Sequence, residues 1–99
     1  MDQSIIELIS RRRRQILVHS FLYYQLNRTI IDDFTYDKWA MELYQLQVDF
    51  PEESKKAIDY EIYKDFDGSS GFDLPFTDPD VQNRGYRLLE YFEKNKKSF

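Results

Sequence analysis

The chain has 99 residues, with 14 Lys+Arg against 18 Asp+Glu and a formal charge of −4; this is one domain's length, with no general affinity for polyanions and no direct nucleic-acid binding expected. With 0 Cys and 1 His, a disulfide framework, a thiolate or His-rich metal site and a Cys nucleophile are excluded. Aromatic residues reach 17% while Gly and Pro number 3 each, which argues against disorder, low complexity and a turn-rich β-sandwich.

Residues 3–27 read as one long helix, with Asp2 or Ser4 placed to cap its start. On a helical wheel Ile5, Leu8, Ile9, Ile16, Tyr23 and Leu26 share one side, widened by Ile6, Leu17 and Tyr24. Arg12 and Arg13 fall inside that arc, poised to pair with acids of a neighbouring helix or to reach a ligand phosphate; Arg11 and Arg14 point away as a solvated face. His19 is also on the buried side and reads as a satisfied structural histidine. Residues 28–32 connect to a second helix, capped by Asp32 or Asp33 and running to Asp49. Its buried stripe is predicted as Tyr36, Trp39, Leu43, Leu46 and Phe50, with Ala40 beside it; Lys38, Glu42, Gln45 and Asp49 take the opposite face.

Residues 52–65 fit either period, through Ile58 and Ile62 at helical spacing or Ile58-Tyr60-Ile62 in alternation; a helix is favoured because a lone strand has no partner. Asp67-Gly68-Ser69-Ser70-Gly71 opens a loop over 67–78. Asp78-Pro79 is an N-cap followed by Pro at the first helical position. From there Val81, Gly85, Leu88 and Phe92 repeat along a last helix to about Lys94, with Gly85 marking close packing. The predicted class is all-α: a small domain over 1–99 of about four helices, with a long helix 1 antiparallel to helix 2. No apolar run approaches the roughly 18 residues of a membrane span. Met1-Asp2-Gln3 opens no signal sequence, so a cytoplasmic chain with no membrane partner is expected.

The junction of helices 1 and 2 concentrates chemistry. Tyr23 and Tyr24 end one helix; Asp33, Tyr36 and Asp37 begin the next. Phenol faces attract a cation or a flat ring, and carboxylates add negative charge, so this corner suits an aromatic cation such as a pyridinium. The bland alternative is ordinary: Asp is favoured in a first helical turn by the helix dipole, and Tyr at a helix junction is often core.

These residues resemble a known family. His19-Ser20-Phe21-Leu22-Tyr23-Tyr24, with Asp33, Tyr36 and Asp37 in register and Phe50-Pro51-Glu52 closing the helix, is similar to the small N-terminal helical domain of bacterial NAD-dependent DNA ligases. That domain reads H-N-Y-L-Y-Y, then D-x-E-Y-D, then H-P-E. The resemblance covers residues 19–52, leaving 53–99 as a C-terminal extension. It implies binding of NAD or nicotinamide mononucleotide. Tyr23 and Tyr36 would pack on the nicotinamide ring, Tyr24 would contact the ligand, and Asp33 and Asp37 would hold the ribose or nicotinamide end. Asn27 stands where the family has Asp, Arg28-Thr29 occupy the stretch of its Pro, Asp32 replaces Ser or Pro, and Thr35 replaces Glu.

The family's adenylation lysine lies in K-x-D-G. Lys64-Asp65-Phe66-Asp67-Gly68 has one residue too many and reads as a loop. The expectation is a non-enzymatic, free-standing relative of the nicotinamide-binding domain, of the kind found among small bacterial and bacteriophage proteins. A different class of function is a protein-interaction module that keeps the scaffold without the ligand, such as a bacteriophage inhibitor of a host nucleic-acid or defence enzyme; an acidic, aromatic-rich surface suits that role. A third reading, cleavage of a nicotinamide nucleotide by Asp33 or Asp37 at the ribose, has no second polar constellation behind it. Gly68-Ser69-Ser70-Gly71-Phe72 lacks the features of a phosphate loop and reads as a turn.

Overall fold

The computed structural model describes residues 2–68 and 74–96. Among them the chain is helical, without strands: α1 (Gln3–Ser20), a π-helical turn (Phe21–Gln25), α2 (Asp33–Asp49), α3 (Pro51–Lys56), α4 (Tyr60–Tyr63) and α5 (Pro79–Lys96). The all-α expectation holds. So does the antiparallel pairing of α1 and α2, because the links between them run in opposite chain order: Arg12 to Glu42 and Arg13 to Gln47 at one end, Ser20 to Tyr36 at the other.

Both long helices start on aspartate. Asp2 accepts from the Ser4 N–H at 2.9 Å and from the Ser4 hydroxyl at 2.6 Å. Asp32, not Asp33, caps α2, accepting from the Thr35 N–H at 2.8 Å. Each carboxyl is held below the ordinary aspartate range by these bonds to its charged form. Asp33 is thereby left as the first residue of α2 with its side chain exposed.

The single amphipathic side predicted for helix 1 needs correction. Ile9, Ile16 and Leu17 are buried as expected, but so are Val18, Phe21 and Leu22, while Tyr23 and Tyr24 are exposed. There are two causes. α5 packs along a second side of α1, so residues 16–22 are enclosed all round. An ideal Cβ on Gly85 would lie 2.6 Å from Phe21 Cδ2, so only glycine lets α5 approach this closely. The chain also leaves α-helical geometry at Phe21. A π turn carries an extra residue, which rotates everything after it relative to an α-helical wheel.

Residues 52–65 do not form one helix. α3 ends at Lys56, Ala57 is extended, and Asp59 is left-handed with φ 58 before α4 begins. α1 satisfies the broken backbone: Ser10 Oγ accepts the Ile58 N–H at 3.2 Å, and Arg13 donates to the Ile58 carbonyl at 2.6 Å. The loop assigned to 67–78 is described at its ends. Gly68 has φ 83, a left-handed conformation suited to glycine, and packs against Met41 and Tyr44 of α2. The turn residues Ser69, Ser70, Gly71 and Phe72 lie outside the described residues. Lys64 is exposed and bonded to Glu61 at 2.9 Å, a surface pair that raises its pKa.

Arg13 is fully buried and ties the elements together. It donates to Gln47 Oε1 of α2 at 3.0 Å, to Ser54 Oγ of α3 at 2.7 Å and to the Ile58 carbonyl. Its guanidinium lies 5.7 Å from the Tyr63 ring centre, and the Tyr63 hydroxyl returns a bond to the Arg13 carbonyl at 2.8 Å. Of the two roles open to Arg12 and Arg13, Arg12 takes an acid, Glu42, at 3.3 Å, which turns Glu42 toward α1 and off the solvated face assigned to it. Arg13 takes neutral acceptors and is structural.

Removing a buried guanidinium strands its partners and leaves a void. Arg13→Ala is expected to lose about 3 kcal/mol or more, read as a shift in the urea unfolding midpoint. Gly85→Ala is expected to lose about 1–3 kcal/mol by overpacking against Phe21, with α5 loosening first in amide hydrogen exchange.

Candidate functional site

The α1–α2 corner holds a cavity of about 350 Å³ lined by His19, Tyr23, Tyr24, Arg28, Thr29, Ile30, Ile31, Asp33, Tyr36 and Asp37. All five residues singled out in the sequence, Tyr23, Tyr24, Asp33, Tyr36 and Asp37, are in this wall. The volume lies at the small end of the range for small-molecule sites.

Three local devices build the corner. The π turn swings Tyr23 and Tyr24 out of the core, where their rings meet edge to face with centres 4.8 Å apart. Asn27 then adopts a left-handed conformation with φ 53, tolerated by its short polar side chain. The Arg28 N–H closes this turn on the Leu22 carbonyl at 2.8 Å. Finally the Asp32 cap fixes the first turn of α2, so Asp33 and Asp37 stand one turn apart on one face, with Tyr36 beside them.

The walls differ in freedom. Tyr36 is half-buried and its hydroxyl shares a hydrogen bond of 2.8 Å with Ser20 Oγ, which orients the ring. Tyr23 is 48% exposed. Tyr24 stacks on Phe76, with centres 5.6 Å apart and planes 22° from parallel. This contact brings the segment before α5 to the corner. Arg28 forms an ion pair with Glu93 of α5. The region after residue 73 therefore reaches the junction.

His19 departs from the expected satisfied histidine. It is 8% exposed and its ring packs against Trp39, with centres 5.6 Å apart. It has no hydrogen bond to any described residue, and no described side-chain N or O that is fully shut off from solvent lacks a partner, so its nitrogens keep some access to solvent. Burial alone pulls its pKa below the histidine value of 6.5. Reasoning from motif residues also missed the connection, Arg28 to Ile31, as cavity wall. The only signal for it was its position between the two halves of the motif.

Chemically, the corner offers phenol faces, two exposed carboxylates that accept hydrogen bonds, a neutral imidazole and an arginine already paired. No lysine lines it, and among the described residues no group of His, Asp and Glu is arranged to hold a metal ion. No helix among the described residues is long and apolar enough to cross a membrane.

The family model described as the DNA ligase-like, N-terminal NAD+-binding domain matches residues 2–56. The chain belongs to that family. The matched segment contains α1, the π turn, α2 and α3, and with them every residue lining the cavity; α4 and α5 lie beyond it. No curated protein and no solved structure matches the chain.

His19 sets a pH dependence of stability. Its folded pKa lies below 6.5, so the unfolded chain binds the proton first. The stabilisation is complete above about pH 6.5 and is lost as pH falls through the folded pKa. Urea midpoints between pH 7.5 and pH 5 are expected to fall less for His19→Phe than for the parent chain.

Proposed function

We propose that this chain binds NAD or nicotinamide mononucleotide in the α1–α2 cavity and does no covalent chemistry on it. The carrying observation is the convergence of Tyr23, Tyr24, Asp33, Tyr36 and Asp37 on one cavity that lies wholly inside the family-matched segment. Tyr23 and Tyr36 offer ring faces to the pyridinium, and Tyr24 widens the aromatic wall. Asp33 and Asp37 supply acceptors for the ribose hydroxyls or the carboxamide, and negative charge for the ring. Acceptors and ring faces suit holding such a ligand, and no lysine lines the cavity to attack a phosphorus. The residues suit a nicotinamide-nucleotide binding domain.

Calorimetric titration with NAD and with nicotinamide mononucleotide tests this reading. Saturable binding is expected, weakened about tenfold or more in Asp37→Ala, since a hydrogen bond to a charged group contributes about 1.5–3 kcal/mol. Asp37 is exposed, so the variant keeps its fold. A folded chain that binds neither ligand at millimolar concentration overturns the reading.

One observation favours the protein-interaction alternative. Phe34, Met41 and Val48 are 76%, 53% and 55% exposed and recur every seven residues along the outside of α2, an apolar stripe of the kind a partner helix covers. Val48→Glu would weaken such a partner and leave nucleotide affinity unchanged.

A further inference from the structure

A second hollow, of about 410 Å³, adjoins the first; His19, Ile30 and Ile31 line both. It lies over α1 between α2 and α5, with Trp39 on one wall and Arg14 and Arg84 among its other lining residues.

The two hollows have opposite electrostatic character. The first carries Asp33 and Asp37, and its arginine is tied to Glu93. The second has no carboxylate among its described lining residues. Arg14 and Arg84 come from different helices and make no hydrogen bond or ion pair with any described residue. Arg14 and Arg84 also line a neighbouring hollow with Asp59, Asp78 and Asp80, but neither arginine makes an ion pair with these carboxylates. In a chain with 18 acidic residues and a net charge of −4, two cations left unpaired on the acid-free hollow suit an external anion there. The join carries His19, nine-tenths buried and without a described hydrogen-bond partner.

This pattern has the polarity of a nicotinamide nucleotide, which carries a cationic ring at one end and, beyond the ribose, anionic phosphate. His19 lies on α1 about 7.5 Å of helix rise from Arg14, and Tyr23 follows it in the π turn. A ribose and a phosphate or pyrophosphate cover such a span, and arginine's planar fork matches phosphate oxygens. We infer that the second hollow is a phosphate subsite, with Arg14 and Arg84 supplying its charge and His19 offering a polar contact at the join. This inference rests on the proposed reading of the first cavity. It gives α5 a part in binding through Arg84, which lies outside the family-matched residues.

The test compares three ligands, nicotinamide riboside, nicotinamide mononucleotide and NAD, by calorimetry at low and moderate salt. The parent chain is expected to bind the mononucleotide about tenfold more tightly than the riboside, in keeping with one charge-assisted contact. That preference is expected to shrink as salt rises. Arg14→Gln and Arg84→Gln each reduce the preference several-fold while riboside affinity stays at the parent value. Both side chains are exposed and unpaired among the described residues, so thermal melts confirm intact folding. Equal affinity of the parent for riboside and mononucleotide, or a preference that neither variant changes, overturns the phosphate subsite and leaves the nicotinamide cavity standing. Failure of the parent to bind any of the three overturns both.

Discussion

A guanidinium taken out of water costs several kcal/mol unless its N–H groups find acceptors, and Arg13 finds them on three separate elements. Gln47 lies on α2, Ser54 on α3 and the Ile58 carbonyl in the break before α4. The acceptors are neutral; they satisfy the group's geometry, while Tyr63 covers it with a ring. Burial pulls the Arg13 pKa down, yet arginine keeps its proton, so the bonds are obligatory at every physiological pH. Buried polar groups of this kind tolerate few alternatives, because a misplaced partner leaves an unpaired charge. The relative setting of α1, α2, α3 and α4 follows from that constraint.

With that end pinned, the other end of the α1–α2 pair is free to open as a cleft. The π turn at Phe21–Gln25, the left-handed Asn27 and the Asp32 cap are separate local solutions. Together they expose tyrosines that a continuous α-helix would turn elsewhere and place two aspartates opposite them. The departures from the ligase-domain pattern fall on the turn, the cavity wall and the cap: Asn27 takes the left-handed position, Arg28 and Thr29 line the cavity, and Thr35 supplies the N–H that Asp32 needs. The proposed ring contacts are left intact.

α5 changes what the family domain can do. It covers a second side of α1 through Gly85, reaches the corner through Glu93 and Arg28, and adds Arg84 to a hollow that would otherwise hold one arginine. Phe76, just before it, stacks on Tyr24. The matched segment thus supplies the proposed ring site, and the following region supplies a wall and a charge.

Much of this was legible in order along the chain. Asp2 or Ser4, and Asp32 or Asp33, announce helix starts because a short polar side chain can reach the orphan N–H groups of the first turn; the structure decides for Asp2 and Asp32. The pairing of Tyr23 and Tyr24 with Asp33, Tyr36 and Asp37 places five side chains at one helix junction because a short connection forces neighbouring helices together. The periodicity of α2 marks Ala40 and Leu43 as core. Other features were decided only by tertiary contacts. A helical wheel assumes one buried side, and α5 gives α1 two, which buries Val18, Phe21 and Leu22. The break at Ile58 exists because Ser10 and Arg13 satisfy its backbone from another helix, which no local propensity encodes. Arg14 reads in the sequence as solvated surface and lies seventy residues from Arg84; their shared hollow arises only when α5 lies along α1. Local capping and turn chemistry act through neighbours in the chain and can be read from it. Enclosure, close approach and the meeting of charges depend on which helices pack together, and three-dimensional packing decides them.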